Sequence, residues 1–172
     1  MKFVGIDPGI NGAIAFLDNV RSDGDCVFDL PRHAVDHRLD GFAIARLIRE
    51  NVAADEPSAV FLEKIHAVAN HSGGGAGAHQ MGAMMESNGI IIGAIDCTRL
   101  TLHRVIPQKW KKFYRLDSDK DKSIAMARRL YPHLAGDLLR KKDDGRAEAV
   151  LIAHYGLAQT VGLVLEDETI PF

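Results

Sequence analysis

The residues best suited to chemistry are acids that stand at the ends of elements. Asp7 closes the run Lys2-Phe3-Val4-Gly5-Ile6-Asp7, and Pro8-Gly9 turn the chain away directly after it. Glu63 closes a second short apolar run that begins at Ser58. Asp144 and Glu148 open a helical stretch in Asp143-Asp144-Gly145-Arg146-Ala147-Glu148. Their i, i+4 spacing sets them about 40° apart on one helix face. Asp143 is about 140° round from Glu148, which favours Asp144 as a ligand and Asp143 as a cap; the choice between them stays open. Each acid has a plain alternative. Asp-Pro-Gly is ordinary turn chemistry, a strand often ends in a charge, and acids suit a helix N-terminus. Taken together, Asp7, Glu63, Asp144 and Glu148 describe a carboxylate cluster that lacks the Cys and His partners of a zinc site. Hard oxygen ligands select Mg²⁺ or Mn²⁺. Two such ions, about 3.5–4 Å apart, activate water and stabilise the leaving oxygen of a phosphodiester. The expected reaction is hydrolysis to a 5′-phosphate and a 3′-hydroxyl, with these four acids as catalytic metal ligands.

A phosphodiester substrate also needs positive charge. The net charge of −2 speaks against a nucleic-acid binder, but the charge is segregated. From Arg99 to Arg146 there are 14 Lys and Arg against 6 Asp and Glu; the rest carries 7 against 17. A basic stretch beside an acidic remainder suits a phosphate surface next to a carboxylate site, although a solvated face has the same composition.

The elements that must position the acids follow from periodicity. The chain has 172 residues, enough for one domain with a sizeable core. Lys2 to Asp7 and Ala13 to Leu17 read as a hairpin around Asn11-Gly12, with a third strand at Cys26 to Leu30. A helix follows Asp40, its N-cap, through Phe42, Ala45, Leu47-Ile48 and Val52. Ser58 to Glu63 reads as a buried strand, His79 to Ala94 as a helix and Leu100 to Ile106 as a strand. A short helix around Gln108 to Phe113, a helix from Lys120 to Leu130 and a last one from Asp144 to Val161 complete the order. The main elements run β-β-β-α-β-α-β-α-α, an α/β chain with a mixed sheet flanked by helices. Residues 1–162 form the expected domain and 163–172 a solvated tail. No apolar run reaches membrane-span length, and no signal peptide opens the sequence. Cys26 and Cys97 read as buried free thiols of a reducing cytoplasm.

The pieces Gly5-Ile6-Asp7-Pro8-Gly9 with Asn11-Gly12-Ala13, then Phe61-Leu62-Glu63, then Pro107 with Trp110-Lys111-Lys112, then Asp121-Lys122-Ser123, then Asp143-Asp144-Gly145-Arg146-Ala147-Glu148-Ala149 run in order along most of the chain. In that order they resemble the RuvC-type Holliday junction resolvases, especially their small phage and prophage branch. The resemblance implies an RNase H-like fold, a homodimer and paired nicks across a four-way DNA junction. It carries the catalytic acidic role onto Asp7, Glu63, Asp144 and Glu148, and a phosphate-holding role near the metals onto Lys111 and Lys122. Lys109, Lys112 and Arg115, with His71 and Gly74 of a glycine-rich loop, complete the expected DNA-contacting set. The implied setting is the cytoplasm of a bacterium or of a phage's host. Two departures stand out. The last acid is Glu148 where bacterial RuvC enzymes usually carry Asp, with its neighbour at i−4 rather than i−3. No Phe, Tyr or Trp lies between Phe61 and Trp110, so an aromatic wedge after the second acid is missing.

Other signals divide between readings. Gly73-Gly74-Gly75-Ala76-Gly77 suits close approach to DNA or a flexible connection. It is not a Walker loop, because no Gly-Lys-Ser/Thr follows. His66, His71 and His79 surround it. Gly82, Glu86, Gly89 and Gly93 fall at helical spacing, which suits a dimer seam or packing on the chain's own sheet. Trp110 reads as the core anchor of a short helix. Two other functions compete: a junction binder that has kept the fold without catalysis, and an ATP-using protein of the actin or sugar-kinase type. The latter needs two lobes, and 172 residues supply one.

Overall fold

A computed structural model of the chain describes residues 1–9, 11–20, 24–65 and 75–162. The strands are β1 (Lys2–Asp7), β2 (Ala13–Asp18), β3 (Cys26–Asp29), β4 (Ser58–Glu63) and β5 (Thr101–Val105). The helices are α1 (Gly41–Asn51), α2 (Gly75–Asp96), α3 (Pro107–Phe113), α4 (Lys120–Leu130) and α5 (Asp144–Val161). Two 3-10 segments, Pro132–Leu138 and Lys141–Asp143, link α4 to α5. The sheet order is β3-β2-β1-β4-β5. β1, β2 and β3 pair antiparallel, whereas β4 lies parallel to β1 and β5 parallel to β4. This is the mixed sheet expected from the sequence.

Strand alternation sorts the core into two faces. Val4, Ile6, Ile14, Phe16, Val60 and Leu62 pack with α1 and α2. Phe3, Ala13, Ala15, Leu17, Ala59 and Phe61 pack with α3, α4 and α5. α1 starts at the expected cap: Asp40 Oδ1 accepts from Ala43 N at 2.9 Å. Phe42, which the periodicity assigned to the core, is 76% exposed; Ile44, Ala45 and Ile48 form the buried stripe instead.

α5 is buried on nearly every side, as an apolar helix without a polar face must be, and is sandwiched between the sheet and α3/α4. Gly5 permits this. A Cβ there would stand 2.2 Å from Ala149 O and 2.3 Å from Ala153 N, so the helix backbone lies directly on the central strand. β2 contributes Ala13 and Ala15 to the same face, leaving room for the crossing.

Two expectations are corrected, and two short segments were not foreseen. α2 begins at Gly75, four residues before His79, because a helix already formed propagates through weak residues such as Gly-Ala-Gly-Ala more easily than it nucleates. The two 3-10 segments carry no hydrophobic period by which a sequence would reveal them. Cys26 is a half-buried free thiol whose Sγ lies 3.3 Å from Asn51 Oδ1, but Cys97 is exposed, in the turn that ends α2. The 163–172 tail, His66, His71, Gly73 and Gly74 lie outside the described residues. No helix among the described residues is long and apolar enough to cross a membrane.

Candidate active site

Parity and register determine where the first two acids point. Asp7 continues the Phe3-Gly5 side of β1 and Glu63 the Ala59-Phe61 side of β4, so both face α5. The parallel register pairs Ile6 with Leu62, which sets Asp7 and Glu63 side by side at the C-terminal end of the sheet. Glu148 comes from α5, next to the Ala149 that lies on Gly5. Oxygens of Asp7, Glu63 and Glu148 all fall within 4.8 Å of one another. Three acids from distant parts of the sequence thus meet at one point.

Asp144 stands beside this group rather than in it. It is one helical turn before Glu148 and is not among the three acids whose oxygens converge. Lys120 Nζ donates to its Oδ2, and its charge still acts on Asp7. Gly145 makes the fit possible, since a Cβ there would meet Asn11 O at 2.2 Å and Asp7 Oδ2 at 3.2 Å. Asp143 occupies the N-cap position of α5, but its side chain does not cap that helix. It accepts instead from Arg140: the backbone N at 2.7 Å, Nε at 3.0 Å and Nη2 at 2.7 Å. That bidentate pair holds its carboxyl below the usual range. Asp143 is committed to Arg140, whereas Asp144, paired with Lys120, lies near enough to Asp7 for its charge to act there.

The electrostatics are those of acids crowded together with too little positive charge. Burial, then repulsion from Glu148 and Glu63, raises the Asp7 carboxyl to about 8 against a backbone hydrogen bond from Gly9. Burial and Glu148 raise Glu63 to about 7, against the pull of Lys111 and the Trp110 indole. Lys111 Nζ is 3.2 Å from Glu148 Oε1 and 5.1 Å from the centre of the Trp110 ring. An all-carboxylate, half-neutralised oxygen cluster is the donor set that a hard divalent cation fits. Asp7, Glu63 and Glu148 would hold it, with Asp144 at the margin.

The basic residues divide. Lys111 is at the cluster as expected. Lys122 is not: its Nζ pairs with Asp117 at 2.5 Å, on the exposed side of α4. The lysine that reaches the acids is Lys120, two positions earlier and about 160° round the helix, whose ammonium is held charged by Asp144. Nothing in the sequence separates these lysines except the orientation of α4. Lys112 and Arg115 line a surface groove along α3 with Pro107, Gln108, Lys111 and Leu116. Lys109 is exposed on the same helix. Trp110 is fully buried against Tyr114, the anchor that the sequence suggested. A second tie was not foreseen: Arg146 Nε and Nη2 reach Asp29 at 2.6 and 2.8 Å, fastening the first turn of α5 to β3.

No protein-family model matches the chain, and no curated protein matches it. Among solved structures it is similar to Thermus thermophilus RuvC, at 17% identity over 95% of this chain and 98% of that one, with a TM-score of 0.57. It is similar also to T. thermophilus RuvC in complex with Holliday junction substrate, at 16% identity over 95% and 97% of the two chains, with a TM-score of 0.60. The chain has the RuvC fold, of the RNase H-like kind, and the likeness read from its motifs holds at the level of fold.

Proposed function

We propose that this chain, a protein of RuvC fold, is a divalent-metal-dependent endonuclease that resolves four-way DNA junctions by paired phosphodiester hydrolysis. One observation carries the reading: Asp7, Glu63 and Glu148 converge within 4.8 Å at the sheet end of that fold. A structure of similar fold holds Holliday junction substrate, which supports branched DNA as the substrate class. Mg²⁺ or Mn²⁺ is the proposed cofactor, with Asp7, Glu63, Glu148 and Asp144 as its ligands; when bound, such ions supply the activation of water and the stabilisation of the leaving oxygen. The protein's own contribution is to hold the acids rigidly on strand ends and a buried helix, and to bring lysines to them. Lys111 and Lys120, now paired with Glu148 and Asp144, are the groups proposed to take phosphate as point charges. The groove of Lys112 and Arg115 is the proposed track for a DNA backbone, with Lys109 beside it.

A homodimer is part of the proposal. Among the described residues, a Cβ at Gly82, Gly89 or Gly93 would meet nothing within 4 Å, and all three are exposed. This face of α2 is therefore not covered by the described sheet, and we propose that a second copy covers it. The test is incubation of wild type and Asp7→Asn with a labelled four-way junction and Mg²⁺. Wild type gives symmetric nicks; the variant binds the junction and leaves it intact. Binding without nicking by wild type overturns the nuclease reading.

A further inference from the structure

Trp110 raises a question that packing does not answer. It is fully buried, and its Nε1 has no hydrogen-bond partner at proper geometry among the described residues. A buried indole N–H normally finds an acceptor, and leaving one unpaired carries a desolvation cost that a purely apolar ring does not. The indole is near enough to Glu63 to pull its carboxyl down against the effect of burial, and Glu63 in turn has an oxygen within 4.8 Å of oxygens of Asp7 and Glu148. The face of the same ring carries the Lys111 ammonium, which reaches Glu148. One side chain on α3 thus addresses two of the three clustered acids, one through its ring edge and one through its face.

We infer that Trp110 is a positioning residue for Glu63, its indole N–H closing onto one carboxylate oxygen when a divalent cation occupies the cluster. A carboxylate has two oxygens. An N–H committed to one fixes the rotation of the group and leaves the other for a cation, and such outer hydrogen bonds orient metal ligands. A merely structural Trp110 needs the ring but not the N–H. The inference rests on the metal-site reading proposed above.

The chain has a single tryptophan, so its ¹⁵N-labelled indole gives one resonance. Titration of the full chain with Mg²⁺ is expected to move that resonance downfield and to slow its exchange with solvent. Trp110→Phe, which keeps the aromatic packing, is expected to weaken Mn²⁺ binding in calorimetry about tenfold. If calorimetry records Mn²⁺ binding while the wild-type indole resonance stays in place under Mg²⁺, the inference is overturned and the metal site stands. Unchanged Mn²⁺ affinity in a folded Trp110→Phe overturns it too. If wild type binds neither ion, the metal reading itself fails and the inference with it. The wild-type titration decides the matter even if Trp110→Phe does not fold.

Discussion

At the residue scale, the feature to explain is an acid cluster that folding assembles against its own repulsion. Asp7 ionises near 4 in an unfolded chain and at about 8 in the folded one. Between those values the unfolded chain has released a proton that the native one retains, so metal-free stability falls as pH rises from about 4 to 8. Asp7→Asn removes that penalty and keeps an acceptor for Gly9 N. Its metal-free melting temperature is expected to exceed wild type by roughly 5 °C at pH 8 and to match it near pH 4, as scanning calorimetry at the two pH values would show. Mg²⁺ should raise the wild-type melt at pH 8 and leave that of Asp7→Asn nearly unmoved. The lysines give a second comparison at this scale. Lys120→Ala is expected to lower the junction-cutting rate about 100-fold, and Lys122→Ala by no more than ~2-fold, since an exposed pair contributes little. Single-turnover rates at saturating enzyme check both; equal losses would contradict the arrangement of α4.

At the element scale, the strands and helices that carry the acids were largely legible in the sequence. β1 and β4 match their expected bounds because a short apolar run ending in one charge is a local signal, and α5 matches because acids mark its start and Gly162 its end. Lys120 and Lys122 were not separable, because two lysines near one helix start differ only in direction, which tertiary packing sets. Asp143 was misleading for a similar reason. It has the composition of a cap and the position of one, but the guanidinium of Arg140 competes for it successfully. The crossing of α5 on β1 gives the prediction for this scale. Gly145→Ala places a methyl 2.2 Å from Asn11 O, and it is expected to destabilise the chain by about 2–3 kcal/mol in urea unfolding. Gly82→Ala adds a methyl that meets nothing within 4 Å among the described residues. In the monomer it should be neutral or stabilising by up to about 1 kcal/mol.

At the scale of the whole molecule, segregation of charge is less simple than the sequence implied. Several cations of the Arg99–Arg146 stretch are already paired: Lys120 with Asp144, Lys122 with Asp117, Arg140 with Asp143 and Arg146 with Asp29. The proposed DNA track is the groove along α3, where Lys109 and Lys112 are exposed. The open face of α2 gives the remaining prediction. Gly89→Leu fills a space that no other part of the described chain occupies. Sedimentation velocity is expected to show wild type as a dimer and Gly89→Leu shifted to monomer, with the circular dichroism spectrum unchanged. A monomeric wild type would remove the paired-cut element of the proposed function.

α5 is both the helix that lies on Gly5 and the carrier of Glu148. It is also the last of the described elements in chain order. While a ribosome is still extending the polypeptide, Asp7 and Glu63 can be in place without the acid that completes their trio. On the proposed reading, a copy still lacking α5 would have two acids of the three, and cutting ability would arrive only with the closing of the fold.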